Sequence, residues 1–120
     1  DILAHENIGT VYLQMEKLES ARAAFDRALE RDPRSSRAHG GLGAIASRQG
    51  RSADAIVHWE RAVEMDRTNF DALYNLARAL VAAGRTEEAR PHMQRFVGSA
   101  PPAFYRADIE QFRQFLAKSG

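Results

Sequence analysis

Four histidines, His5, His39, His58 and His92, are the residues most able to do chemistry, since a neutral imidazole can ligate a metal or take a proton. They form two pairs, His5/His39 and His58/His92, each 34 residues apart. If such a spacing marks equivalent sites in stacked helical units, the members of a pair lie ~10 Å apart, a helix-packing distance. One zinc ion holds its nitrogens at about 2.0–2.1 Å, so neither pair is placed to share a metal. No His-x3-His or Glu-flanked metal motif occurs. With no cysteine there is no thiolate ligand, disulfide or thiol nucleophile. Gly40-Gly41-x-Gly43 falls inside an expected helix and does not follow a strand, as a phosphate-binding loop must. Ser35, Ser36 and Ser47 have no base in a triad arrangement. Glu87 and Glu88 belong in the first turn of a helix, where carboxylates favour the dipole. The expectation is no catalytic residue, no metal site and no cofactor.

The elements that carry these residues are helices. Ile8, Val11, Tyr12 and Met15 follow i, i+3, i+4, i+7, as do Leu73, Leu76, Ala77 and Leu80, and Ala21, Ala24, Phe25, Ala28 and Leu29 follow the same spacing. No sustained two-residue alternation appears. Turn residues at Glu16-Lys17, Asp32-Pro33-Arg34, Gly50-Arg51, Arg67-Thr68-Asn69, Gly84-Arg85 and Ala100-Pro101-Pro102 predict helices over roughly 2–15, 18–31, 36–49, 52–66, 70–83, 86–99 and 104–118. Connections this short make successive helices antiparallel neighbours. The chain has 120 residues, 44% hydrophobic and 28% charged, enough to bury a core. Its net charge of +1 argues against a nucleic-acid binder that relies on bulk positive charge. The predominance of arginine, 15 against 2 lysines, reads as base composition and not as phosphate recognition. No apolar run approaches the ~20 residues that cross a bilayer, and no targeting signal opens the chain. The compartment stays open between cytoplasm and periplasm. Because the chain starts at Asp1 within a periodic segment, it reads as a piece of a longer polypeptide.

Displaced by 34 residues, the sequence matches itself. Ile8, Leu42 and Leu76 align, as do Gly9, Gly43 and Ala77; Ala21, Ala55 and Ala89; Phe25, Trp59 and Met93; Arg27, Arg61 and Arg95; and Pro33, Arg67 and Pro101. A period of this length denotes stacked supersecondary units. The first unit reads Ile8-Gly9-x-x-Tyr12, Ala21-x-x-x-Phe25, Ala28 and Pro33, and it resembles the tetratricopeptide repeat (TPR). The resemblance implies an all-α fold, a right-handed α-solenoid of three antiparallel helix pairs plus a terminal helix. One domain would span 1–120, with repeats at about 2–35, 36–69 and 70–103 and a capping helix at about 104–118. Small residues are expected where paired helices press closest, and Phe25, Trp59 and Met93 are expected to fill the gap to the next unit. Gly50 and Gly84 are expected to end helices in the left-handed conformation, with Ser52 and Thr86 capping the next. Glu16, in place of glycine, predicts a differently shaped first turn, and Arg67, in place of proline, a less rigid joint. Phe96 predicts a displaced terminal helix, and Pro91 a slight bend or one lost hydrogen bond. Tyr105, Ile109, Phe112 and Leu116 would cover the last repeat, and Phe112 or Phe115 could instead dock a partner.

In the family it resembles, the first helix of each unit lines a concave groove. Repeat offsets place Leu3, Glu6, Asn7, Thr10 and Gln14 on that face in the first unit, Arg37, Gly40, Gly41, Ala44 and Arg48 in the second, and Asp71, Tyr74, Asn75 and Arg78 in the third. The resemblance implies that Asn7 and Asn75 hydrogen-bond the main chain of an extended peptide, since an amide both donates and accepts. Gly40, Gly41 and Ala44 would leave the groove floor bare, or would only let helices pack closely. Arg37, Arg48 and Arg78 would meet acidic or carbonyl groups, and Tyr74 would offer a stacking surface. Family members that grip acidic chaperone tails use Lys, Asn and Arg at sites that match Glu6, Thr10, Gly41, Asp71 and Asn75. Only Asn75 is compatible, so no binding of such tails is expected.

The expected function is a protein-interaction module, not an enzyme, with a protein or peptide partner and neither nucleic acid nor membrane. Two alternatives stand beside it. The stretch from His92 to Ile109 resembles tails of large bacterial hydrolases, sulfatase-like ones among them, which would make the module a non-catalytic appendage. A structural spacer is the other, with a monomer or a weak dimer formed through the apolar face of the first helix.

Overall fold

The computed structural model describes residues 1–119, which form seven α-helices and no strand. They fall into two compact units, Asp1–Asn69 and the part of the chain from Phe70 onward. The first unit holds α1 (Ile2–Gln14), α2 (Leu18–Arg31), α3 (Ser36–Arg48) and α4 (Ser52–Met65). The second holds α5 (Phe70–Ala82), α6 (Thr86–Ser99) and α7 (Pro102–Ser119). The architecture is all-α and built of helical repeats. Six helices lie within a residue of their expected ends; α7 starts two residues early, at Pro102, because proline is pre-organised for a first helical position and has no N–H to leave unpaired.

In the first unit α1 pairs with α2 and α3 with α4, and α3 also packs on α2 and beside α1. Phe25 of α2 is the wedge. Its ring is 1% exposed and lies against glycines on two helices. A methyl group at Gly9 would stand 2.6 Å from the ring, and one at Gly41 would overlap it. Ala21, Ala28, Ala38, Leu42 and Ile45 close the core around it. Trp59 repeats the device in the second hairpin: a methyl at Gly43 would be 2.6 Å from its indole nitrogen, which donates to the Gly40 carbonyl at 3.2 Å. The small-against-large alignment is thus a set of ring-on-glycine contacts, where one added carbon is felt as overpacking.

The three tight turns share one geometry, contrary to the expectation for Glu16. Glu16 adopts φ 58°, Gly50 φ 76° and Gly84 φ 79°. After each, the next N–H reaches back five residues: Lys17 to Tyr12 at 2.9 Å, Arg51 to Ala46 at 2.9 Å and Arg85 to Leu80 at 2.8 Å. This is the Schellman closure, and the neighbouring packing imposes it even on a residue with a Cβ. The closure also explains why Ser52 and Thr86 do not cap. It places Arg51 and Arg85 at the N-cap, where no side-chain cap bond forms, and pushes Ser52 and Thr86 into the helix. Each capping arginine instead pairs with an acid three residues on, Arg51 with Asp54 at 2.7 Å and Arg85 with Glu88 at 2.7 Å. Hydrogen bonding to Arg85 holds the Glu88 carboxyl below its ordinary range. The longer joints match as well. Asp32 accepts from the Arg34 N–H at 3.0 Å and Asp66 from the Thr68 N–H at 2.9 Å, so the turn containing Arg67 closes like the one containing Pro33. The Thr68 hydroxyl adds a bond of 2.7 Å, and the two bonds lower the Asp66 pKa.

In the second unit Phe96 of α6 is fully buried, and instead of crowding the fold it centres an aromatic cluster. Its ring lies 6.2 Å from Phe70, 5.7 Å from Tyr74, 5.4 Å from Tyr105 and 5.3 Å from Phe112, mostly edge-to-face. Tyr105 interrupts the helical backbone of α7 at φ −130°, ψ 26°, one turn after Pro102. Ile109 and Phe112 are buried, as the capping expectation requires, while Phe104 is 81% exposed. Pro91 sits inside α6, which is continuous from Thr86 to Ser99.

Candidate functional site

The site residues expected on α1 and α3 form a polar surface in the first unit, and several are already engaged. Ser35, the N-cap of α3, receives the Ala38 N–H and donates its hydroxyl to Glu6 at 2.6 Å. Arg37 reaches the other Glu6 oxygen at 3.5 Å and donates to the Asn7 carbonyl oxygen at 3.1 Å. The Glu6 side chain is 12% exposed and that of Arg37 47%. Glu6 therefore ties α1 to the start of α3 instead of facing a ligand, and Arg37 is the exposed member of the cluster. Arg48 pairs with Glu16 at 3.0 Å, both largely exposed. Thr10 returns its hydroxyl to the Glu6 carbonyl at 2.9 Å, and Gln14 and Leu3 are exposed.

Gly41 corrects the expectation of a bare groove floor: it is buried beneath Phe25, so no partner side chain can enter there. Gly40 and Ala44 are half-buried, and a methyl at Gly40 would meet only the Asn69 amide at 3.6 Å. The repeat offset equated Gly41 with Asn7, but Gly41 is buried against Phe25 of α2 whereas Asn7 is exposed. Likewise Ile8, Val11 and Met15 are 46, 53 and 54% exposed, whereas the equivalent Leu42 and Ile45 of α3 are buried.

In the second unit Tyr74, Asn75 and Arg78 lie on α5. Tyr74 does not offer an open ring: it stacks on Phe112 at 5.0 Å, Arg78 stands 5.4 Å over its centroid, and its hydroxyl donates to Gln111 at 2.9 Å. Asn75 is half-buried. Asp71 accepts the Tyr105 hydroxyl at 2.9 Å. Burial and this bond push the Tyr105 pKa up to about 12. Between α5 and α7 lies a groove of about 390 Å³ whose lining includes Arg78, Val81, Met93, Phe112, Phe115 and Lys118. Its signals in the sequence are Phe112 and Phe115, read as covering the last repeat or docking a partner.

Among the described residues no group of three or more His, Asp or Glu is placed to hold a metal ion, and no helix is long and apolar enough to cross a membrane. The histidines meet in a pairing that the 34-residue spacing concealed. His39 and His58 stack across the α3–α4 hairpin at 6.1 Å, both with a buried, unpartnered Nδ1, while Nε2 of His39 bonds the Pro33 carbonyl at 3.2 Å. Burial, and then the nearby His39 and Arg61, lower the His58 pKa.

Comparison with known proteins follows this geometry. The family model for the tetratricopeptide repeat matches residues 7–62 and 45–104. No curated protein sequence matches. Among solved structures, YrrB, a TPR protein with an unusual peptide-binding site, is 28% identical with a TM-score of 0.76, covering 82% of this chain and 50% of its own. The chain thus spans half the length of YrrB. The first TPR of Spaghetti (RPAP3), bound to the HSP90 peptide SRMEEVD, is 21% identical with a TM-score of 0.80, covering 97% of this chain and 95% of its own. The TPR2B domain of yeast Sti1, in complex with pHsp70, is 16% identical with a TM-score of 0.83, covering 99% of this chain and 98% of its own. The last two show likeness of fold alone.

Proposed function

The chain belongs to the tetratricopeptide repeat family, generally non-catalytic interaction modules, and on that premise we propose that it binds an extended peptide or partner segment through the exposed faces of its first helices. In the first unit that surface is Asn7, Gln14, Arg37 and Arg48, with Thr10 and Ala44 beside them; in the second it is Asn75 and Arg78. Glu6 and Gly41 support the surface from beneath. The observation that carries the reading is the Asn7–Arg37 contact. The Asn7 amide oxygen is taken by Arg37 at 3.1 Å, which leaves the amide N–H group as the part that would donate to a peptide carbonyl. YrrB, the relative of highest identity named above, is a peptide binder, which supports the reading.

The test is selection of binders from a random decapeptide library, followed by calorimetry on the best sequence. Binding is expected to be micromolar, since so short an array offers little area. The Asn7→Ala/Asn75→Ala variant should weaken it about 10-fold with unchanged helicity, as expected for two lost backbone hydrogen bonds. Equal affinity for the variant would remove both asparagines from the account.

A further inference from the structure

We infer that the groove between α5 and α7 in the second unit is a lipid-metabolite site: it binds a free fatty acid of medium chain length, with the hydrocarbon in the slot and the carboxylate on the rim. This is a further binding activity and does not rest on the peptide-binding reading. The floor is apolar: Met93 and Phe112 are buried at its base, and Val81 and Phe115 are half-buried beside them. Two cations, Arg78 and Lys118, belong to the lining, and no acid does. An apolar slot with cations alone at its edge is complementary to a ligand with a hydrocarbon body and a single anionic end. The main chain argues against a peptide in this slot. Every lining residue belongs to α5, α6 or α7, so backbone donors and acceptors here are largely spent on the helical ladder. A peptide laid into the slot would leave its own N–H and C=O groups facing hydrocarbon, a cost that an acyl chain does not carry. The volume of about 390 Å³ lies at the small end of ligand pockets and suits one short chain.

The anionic end has donors held ready for it. Arg78 stands over the Tyr74 ring at 5.4 Å, Tyr74 is stacked on Phe112 at 5.0 Å, and its hydroxyl donates to the Gln111 oxygen at 2.9 Å. The last contact leaves the N–H group of Gln111, a lining residue, as a further donor for a carboxylate. Groups held in place before the ligand arrives lower the ordering cost of binding.

The probe is sodium octanoate, titrated into the whole chain by calorimetry and nuclear magnetic resonance. It should bind with a Kd of about 0.1–1 mM, as expected for so few ligand atoms, and shift the amide resonances of α5 and α7. Octan-1-ol has the same hydrocarbon and no charge, and should bind at least ~10-fold more weakly. Butanoate has the charge and four fewer methylenes, and should also bind at least ~10-fold more weakly. Lys118→Ala should weaken octanoate about 5-fold and Lys118→Arg should restore it. Lys118 is exposed, so neither variant endangers folding. No binding of octanoate, equal binding of octan-1-ol or butanoate, or no effect of Lys118→Ala would each overturn the assignment. The pentapeptide Ser-Gly-Ser-Ala-Leu, binding as tightly at the same resonances, would overturn it in favour of a peptide site. The Asn7→Ala/Asn75→Ala variant should bind octanoate within ~2-fold of the parent chain, so this site and the peptide-binding face described above can fail separately.

Discussion

Alanine at Gly40 and alanine at Gly41 should move the stability of the first unit in opposite directions, although the two are neighbours in one helix. Each replacement gains ~1 kcal/mol of intrinsic helix propensity. At Gly40 the new methyl meets the Asn69 amide at 3.6 Å, an ordinary contact, so that gain is kept. At Gly41 the methyl falls into the Phe25 ring, which is 1% exposed and also lies against Gly9, so it has little room to move. Overpacking of this kind costs about 1–3 kcal/mol, and overlap with several ring atoms points to the upper part of that range. The net loss at Gly41 is then about 1–2 kcal/mol, and the two variants differ by about 2–3 kcal/mol. The chain has a single tryptophan, Trp59, which is 6% exposed and lies in the first unit, so its fluorescence during urea unfolding reports this region. With slopes of ~1–3 kcal/mol per molar urea, the midpoints should separate by about 0.7–3 M. Phe25→Leu combined with Gly41→Ala should recover part of the loss. A Gly41→Ala midpoint at or above that of the parent chain would refute the reasoning, because it would mean that the space above Gly41 is open and the groove floor bare after all.

Glu16→Gly should be more stable than Glu16→Ala by about 1 kcal/mol, because both lose the exposed pair with Arg48 and only alanine keeps a Cβ at φ 58°; thermal melts of the two variants decide it. The folded state lowers the His58 pKa below its ordinary value, so it binds fewer protons than the unfolded chain. Stability of the first unit should therefore fall as the pH drops through about 6.5, the unfolded value, towards the folded one. His58→Gln should flatten that dependence in urea titrations at pH 5 and 7, with the groups around it, His39, Arg61, Arg22 and Asp54, left in place. An acidic C-terminal heptapeptide should not bind at micromolar concentration: Glu6 is held by Ser35 and Arg37, and Asp71 by Tyr105, in the two places where a clamp needs cations. Micromolar binding lost in Asn75→Ala would contradict this.

The repeat period and helical spacing made the seven helices and most of the core legible, because both depend on local pattern. Phe25, Trp59 and Met93 were recognisable as fillers from their alignment alone. The offsets misled where equivalent positions meet different surroundings. Asn7 and Gly41 share an offset, yet Gly41 lies buried against Phe25 and Asn7 is exposed, so equal positions have unequal surroundings. The turn at Glu16 was misread because composition suggested a different shape, whereas flanking helices of fixed length and packing dictated the same closure as at Gly50. The His39–His58 stack was hidden because it depends on the antiparallel hairpin and not on the repeat. The α5–α7 groove lay beyond sequence reasoning, as its lining comes from three helices whose mutual placement no period encodes.

The most direct check on the proposed interaction surface is nuclear magnetic resonance of the side-chain amide groups as a selected decapeptide is added. The account predicts that the Asn7 and Asn75 signals shift on binding and that Glu6→Gln, beneath the surface, leaves the affinity within ~2-fold. Saturating peptide with both asparagine signals unmoved would contradict it.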